Sequence, residues 1–364
     1  MRIPQYIKSI SQKFKDNGFK LFVVGGSVRD HILGSKPKDF DLATDATPDQ
    51  AISILEGSYR ILEVGKSFGV IRVVVPEDPE GVEISTFRED LGSGRRPEGV
   101  VFSTIEKDVM RRDLTINALF YDVDKEEIVD LVGGINDLEN KVIRTVGDPK
   151  LRFGEDPLRR LRAIRFASKL GFELHPSLRE SLLVDNSLKG VSPERIRDEF
   201  VKTLKSTKSI ERSLKILDEF KFLGMVFPGM DVKIDLWSQK SYILTTFLML
   251  RDNMIGIRGK ELNKLTWTTD EINSIAFLHQ LQFIKEPQWA YELKRRLPTG
   301  DLIDGDTYRE FAFLLGIEPR VMDAFLRYQI QTDGNDLIAE GFSGRALGDE
   351  LKRRETEIFK SYIE

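Results

Sequence analysis

The chain has 364 residues, with 40% hydrophobic and 31% charged side chains, which is enough for two or three domains with real cores. It has no cysteine, so disulfides and thiolate metal sites are excluded. Its formal net charge of −4 excludes a polycation, so any nucleic-acid contact must come from a local basic surface.

The first residues, MRIPQYIKSISQKFKDNGF, lack a signal-peptide apolar core and read as an amphipathic helix. No apolar run approaches membrane-spanning length, which points to a cytoplasmic protein. Leu21 to Val24 is a short, β-branched apolar run of the kind that forms a buried strand. A turn at Gly25, Gly26 and Ser27 follows, then an apolar segment from Val28-Arg29-Asp30 that fits one or two helical turns. Asp39-Phe40-Asp41 sits in the strand-like context DFDLAT. On a strand the two aspartates share a face and Phe40 turns into the core.

Pro48 to Leu55 predicts a helix, and Arg60 to Val64, Gly69 to Val75 and Val82 to Phe87 predict three strands. Arg88 to Glu98 is polar and glycine-rich, and reads as a mobile loop. Ser103-Thr104-Ile105-Glu106 fits a capping box, opening a helix that runs on through Arg111, Arg112, Asp113 and Asn117. From about residue 141 the strands are expected to stop. Helical patterns then continue to the end, broken at Gly147-Asp148-Pro149, Ser192-Pro193, Phe227-Pro228-Gly229 and Pro298-Thr299-Gly300. Trp237, Trp267 and Trp289 are assigned to the core of a C-terminal helical bundle. The three histidines, His31, His175 and His279, form no zinc or hydrolase pattern.

Asp39 and Asp41 can be ordinary turn carboxylates or a magnesium pair, since hard oxygen ligands suit Mg²⁺. The upstream glycine turn favours the second reading, because it lets a phosphate approach the backbone and Arg29. Asp113 and Asn117, four apart, share a face of the expected helix, where with a guanidinium they can hold ribose and phosphate. Asp156 before Pro157 reads as a helix N-cap. Arg159, Arg162 and Arg165 recur every three residues beside it, and acceptor-only Asp156 with donor-only Arg159 can read the edge of a base. Glu83 is either a third acidic group or an outward-facing strand residue.

Five segments together resemble the bacterial (class II) tRNA nucleotidyltransferase and poly(A) polymerase family, within the DNA polymerase beta superfamily. They are GGSVRD (25–30), DFD (39–41), RRDLTINAL (111–119), EDPLRRLRAIRF (155–166) and SPERIRDE (192–199), with GFSGRALG (341–348) similar to a tail signature. The resemblance implies an α+β chain: a mixed-sheet nucleotidyltransferase head over 1–140, a helical neck over 141–205, and a helical body and tail over 206–364 that hold tRNA. It implies a seahorse-shaped monomer. Asp39 and Asp41 would be catalytic and bind Mg²⁺, and Gly26, Arg29 and Arg112 would contact triphosphate or ribose. Asp156 and Arg159 would select CTP and ATP, with Arg162 and Arg165 beside them. The implied activity is template-independent addition of C, C and A to the tRNA 3′ end, releasing pyrophosphate. Alternatives are a split CC-adding or A-adding enzyme, a poly(A) polymerase, or a silent RNA-binding protein. Gly65-Lys66-Ser67-Phe68 is closer to the tRNA enzymes than the basic poly(A) polymerase stretch. The loop before RRD is slightly short, as CC-only members show.

Overall fold

The computed structural model describes the whole chain except residues 38, 92–98, 254–261, 263–265 and 299–300, and the side chain of Asp90. Two compact units divide it, Met1–Val191 and Ser192–Glu364. The interval 141–205 straddles that boundary.

The strands are β1 Leu21–Val24, β2 Asp41–Thr44, β3 Arg60–Leu62, β4 Val70–Val75, β5 Asp78–Thr86, β6 Arg88–Leu91, β7 Gly99–Phe102, β8 Phe120–Asp122, β9 Glu127–Val129, β10 Val142–Ile143 and β11 Glu173–Leu174. The helices of the first unit are α1 Gln5–Asp16, α2 Gly26–Ile32, α3 Pro48–Leu55, α4 Ile105–Met110, α5 Gly134–Glu139, α6 Pro149–Glu155, α7 Arg159–Leu170 and α8 Pro176–Val184. Seven strands form a mixed sheet in the order β3-β4-β5-β2-β1-β8-β9. Only β2 and β5 pair in parallel, placing Leu42 opposite Ile84.

All four residues of β1 are buried, as its unbroken apolar run predicts for a strand covered on both faces. Phe22, Phe87 and Phe120 meet at centroid distances of 5.7–6.1 Å and make the aromatic centre of a cluster with Val24, Ala43, Val109, Ala118 and Val146. The helix at Pro48–Leu55 has the predicted bounds because Thr47 and Gln50 form a reciprocal capping box ahead of Pro48.

Several local expectations give way. β2 begins at Asp41, so Asp39 precedes the strand, and Phe40 is half-buried rather than in the core. Arg88 to Leu91 is not loop but strand, paired with β7; the rest of that expected loop, 92–98, lies outside the described residues, as do Thr299 and Gly300 of the Pro298 break. Thr104 is the N-cap of α4 without a side-chain capping bond. That helix stops at Met110, so Arg111 to Asn117 is not helical throughout: Leu114 pairs with Thr145 in an isolated bridge, and only Thr115–Asn117 makes a 3₁₀ turn. Strands also persist past residue 141, because β10 and β11 pair in parallel.

Gly134 is fixed by sterics rather than by φ. A Cβ there would sit 2.3 Å from the carbonyl oxygen of Thr115, which belongs to the 3₁₀ turn. Gly134→Ala is expected to destabilise the first unit by about 3 kcal/mol, since a backbone atom cannot step aside. An unchanged melting temperature would contradict this packing.

In the second unit, helix Pro193–Ser206 begins at the predicted Ser192-Pro193 break. Its Arg197 pairs with the buried Glu271, which also accepts from Tyr242 Oη at 2.8 Å and Thr268 N at 2.9 Å. Trp267 is core, stacked on Phe227, but Trp237 is only half-buried and Trp289 is exposed beside Lys352. Among the described residues no helix is long and apolar enough to cross a membrane.

Candidate active site

The site gathers where β2 starts. Asp41 opposes Val24 of β1, and the next pair along, Leu42 and Ile84, sets Glu83 of β5 beside it. Its outer face is open to solvent. The protein behind it raises its carboxyl above the usual range, as do the charges of Glu83 and Asp39, while Arg112 pulls it down. Asp39 is therefore close enough to act on Asp41 although the strand does not hold it. Glu83 is not free: Arg72 on β4 donates to it at 2.5 Å. Among the described residues no group of three or more acidic or histidine side chains gathers to hold a metal. Two carboxylates nevertheless match the usual protein share of a magnesium site, which draws its other ligands from water and phosphate.

Gly25 supplies the turn after β1 with φ +73°, and its N–H donates to Leu119 O at 2.9 Å. The φ is what calls for glycine there, since a Cβ would meet Asn117 O at 3.6 Å and Arg112 at 3.8 Å, ordinary contact distances. Gly26 opens α2, and Arg29 projects from that helix into the interior, only 3% exposed. Its guanidinium donates to Asp30 at 2.7–2.8 Å and to Asn117 Oδ1 at 2.5 Å, and lies 5.1 Å from the Phe166 ring centroid. The side chain expected at the phosphates is thus occupied in tying α2 to the 3₁₀ turn and to α7.

Arg112, whose charge acts on Asp41, has its own support. Asp108, 1% exposed on α4, accepts from Arg112 at 3.0–3.1 Å and from Arg111 at 2.6–2.9 Å, and Phe120 backs the Arg112 guanidinium at 4.6 Å. Sequence reasoning passed over Asp108; its spacing of three and four before the two arginines on a helix was the available signal.

Asp113 and Asn117 do not share a helix face. Asp113 turns instead to α7, accepting from Arg162 at 2.6–2.8 Å and from Leu114 N at 2.8 Å. Burial disfavours its charge, but the Arg162 charge and hydrogen bonds, the Leu114 N–H and Arg159 outweigh that and hold the carboxyl below the usual range.

Asp156 is the C-cap of α6 rather than a plain N-cap, yet its carboxylate accepts from Leu158 N at 3.1 Å and so begins the turn into α7. The Asp-Pro cap falls one helix earlier, at Asp148-Pro149. Arg159 donates to Arg111 O at 2.7 Å and to Glu155. Arg165 lies 4.3 Å from the Phe166 centroid, and Arg162 5.9 Å. The stripe read from the sequence is real, and its first two members bind the RRD segment directly to α7.

Residues 21–144 match the poly A polymerase head domain family, and residues 171–234 match the family described as a probable RNA and SrmB-binding site of polymerase A. The CCA-adding enzyme of Bacillus pumilus is 44% identical over 220 residues, which is 59% of this chain and 53% of that protein. Poly(A) polymerase I of Escherichia coli is 38% identical over 225 residues, or 58% of this chain and 47% of that protein. These matches span about half the length of either relative. The crystal structure of the Bacillus stearothermophilus CCA-adding enzyme in complex with CTP aligns with TM-score 0.74 and 25% identity, covering 100% of this chain and 93% of that one. The head-domain match, the mixed sheet and the five motifs in order lead to one assignment: the chain belongs to the bacterial, class II branch of the tRNA nucleotidyltransferase and poly(A) polymerase family.

Proposed function

We propose that this protein adds C, C and A to the 3′ end of tRNA from CTP and ATP without a nucleic-acid template. The observation that carries the reading is the start of β2, where the register with β5 sets Glu83 beside Asp41 and the charges of Asp39 and Arg112 act on the same carboxyl. Its support is the set of relatives described as CCA-adding enzymes.

In the reaction the tRNA 3′-oxygen forms a bond to the α-phosphorus, the bond from that phosphorus to the bridging oxygen breaks, and pyrophosphate leaves. The hydroxyl proton passes to solvent. Asp39 and Asp41 would hold magnesium, whose chemistry there would be to lower the pKa of the attacking hydroxyl and to neutralise charge on the leaving group. Arg112, pre-set by Asp108, meets the phosphates, with Gly26 allowing close approach. Arg29 and Asn117 act as one hydrogen-bonded unit that shapes the floor. Asp156 and Arg159 read the base edge, and Arg162 holds Asp113 so that α7 keeps its register with the cleft. Positioning and electrostatics do the work, with little covalent chemistry asked of the side chains. Residues 1–140 would then serve as head, 141–205 as neck, and 206–364 as body and tail holding tRNA, in a monomer acting in the cytoplasm.

The competing split reading is met by tRNA lacking all three end nucleotides, incubated with CTP, ATP or both, and sequencing of the products. Addition of CCA with both nucleotides is expected; arrest at CC would establish a CC-adding enzyme, and adenylate runs a poly(A) polymerase. In the same assay Arg159→Ala is expected to lose discrimination against UTP and GTP by about ten-fold or more, the worth of one charged hydrogen bond. Retained selectivity would remove Arg159 from base reading.

A further inference from the structure

Next to the catalytic strand the first unit holds a cavity of about 890 Å³ that the proposed chemistry does not use. That is the size range of a small-molecule site. Arg2 and Lys36 line it, and among the described residues no carboxylate does. Among the described residues neither cation has an acidic partner within ion-pair distance. Helix α1 begins on its rim, with Pro4 in the N-cap position, no side-chain cap and no acid in the first turn. Its unshielded N–H groups add positive potential to that of the two side chains. Pro37, the half-buried Phe40 and His31 line it too. The acids of the neighbourhood, Asp78, Glu77 and Asp39, act with burial to raise the Tyr6 hydroxyl, but none of them lines the cavity.

We infer that this cavity binds a phosphate-bearing ligand of nucleotide size, its phosphate between Arg2 and Lys36 and its heterocycle against Phe40. Two cations and an aromatic ring lining one cavity complement the phosphate and the base of a nucleotide. The ligand comes either as a free mononucleotide or as one unit of an RNA strand. The inference goes beyond the nucleotidyltransferase reading and needs no turnover.

The chain has three histidines, so its imidazole NMR spectrum reports His31 against two internal references, His175 and His279. The full-length protein, in EDTA so that no metal occupies the catalytic carboxylates, is titrated with adenosine 5′-monophosphate, with inorganic phosphate and with a short single-stranded RNA. The His31 signal is expected to move saturably, and in Arg2→Gln/Lys36→Gln the apparent affinity should fall about ten-fold or more. Movement with the mononucleotide identifies a free-nucleotide site, and movement with RNA alone identifies a strand site. A His31 signal that stays still with all three ligands overturns the inference, as does one that moves equally in the double variant. Both altered side chains are exposed, and a single Lys36→Glu, with the reverse charge, gives an independent reading if the double variant folds poorly.

Discussion

Asp41→Ala is expected to lower nucleotide addition at least about a thousand-fold, the scale on which loss of preorganised charge at a transition state is felt. Binding of tRNA should survive, because Asp41 lies outside residues 206–364, the part proposed to hold tRNA. The fold should survive as well: among the described residues no side-chain hydrogen bond engages the Asp41 carboxylate, and its outer face is in water. Single-turnover incorporation of labelled CTP into tRNA lacking its last three nucleotides measures the first effect, and a gel shift with the same RNA measures the second. Turnover near that of the parent enzyme would remove Asp41 from the chemistry. Asp39→Ala should behave alike, although no strand fixes that residue in place.

Asp108→Ala should act on both stability and substrate affinity. Removing this carboxylate leaves the guanidiniums of Arg111 and Arg112 without their shared acceptor in a mostly buried position. Loss of one partner from such a cluster costs about 3 kcal/mol or more. For a unit of this size that lowers the melting temperature by roughly 10 °C. Because Arg112 is aimed by Asp108, KM for CTP should rise as well. Asp108→Asn keeps the shape and half of the acceptor capacity, so its loss should be smaller on both counts. If Asp108→Ala melted like the parent and bound CTP equally well, Arg112 would have to be held by Phe120 and the Asn117 carbonyl without Asp108.

The strand, glycine turn and helix from Leu21 to Ile32 were legible because each has a strong local cause: a β-branched run, a φ that favours glycine, and an amphipathic turn. The helix at Pro48 was legible for the same reason, through its cap. What misled was the segment after α4. Its periodicity is helical, but Leu114 and Thr115 pair with the stretch around Arg144, and that non-local bonding overrides local propensity. The site itself was half visible. Residue types at 39, 41, 112 and 156–165 could be read, but their partners could not. That Arg29 would be spent on Asn117, Glu83 on Arg72 and Asp113 on Arg162 are facts of chain sections 11 to 88 residues apart. Asp108 had a local signal in its spacing, yet nothing in the sequence distinguished it from a solvated helix face.

The ring of Phe166 lies near three guanidiniums at once, those of Arg29, Arg162 and Arg165, at 5.1, 5.9 and 4.3 Å. Its negative π-cloud is a single shared resource for cations that belong to α2 and to α7. A neutral hydrocarbon thus ties together the resting places of three charges, and Phe166→Leu, still apolar but without a π-face, would dissolve that bond between them.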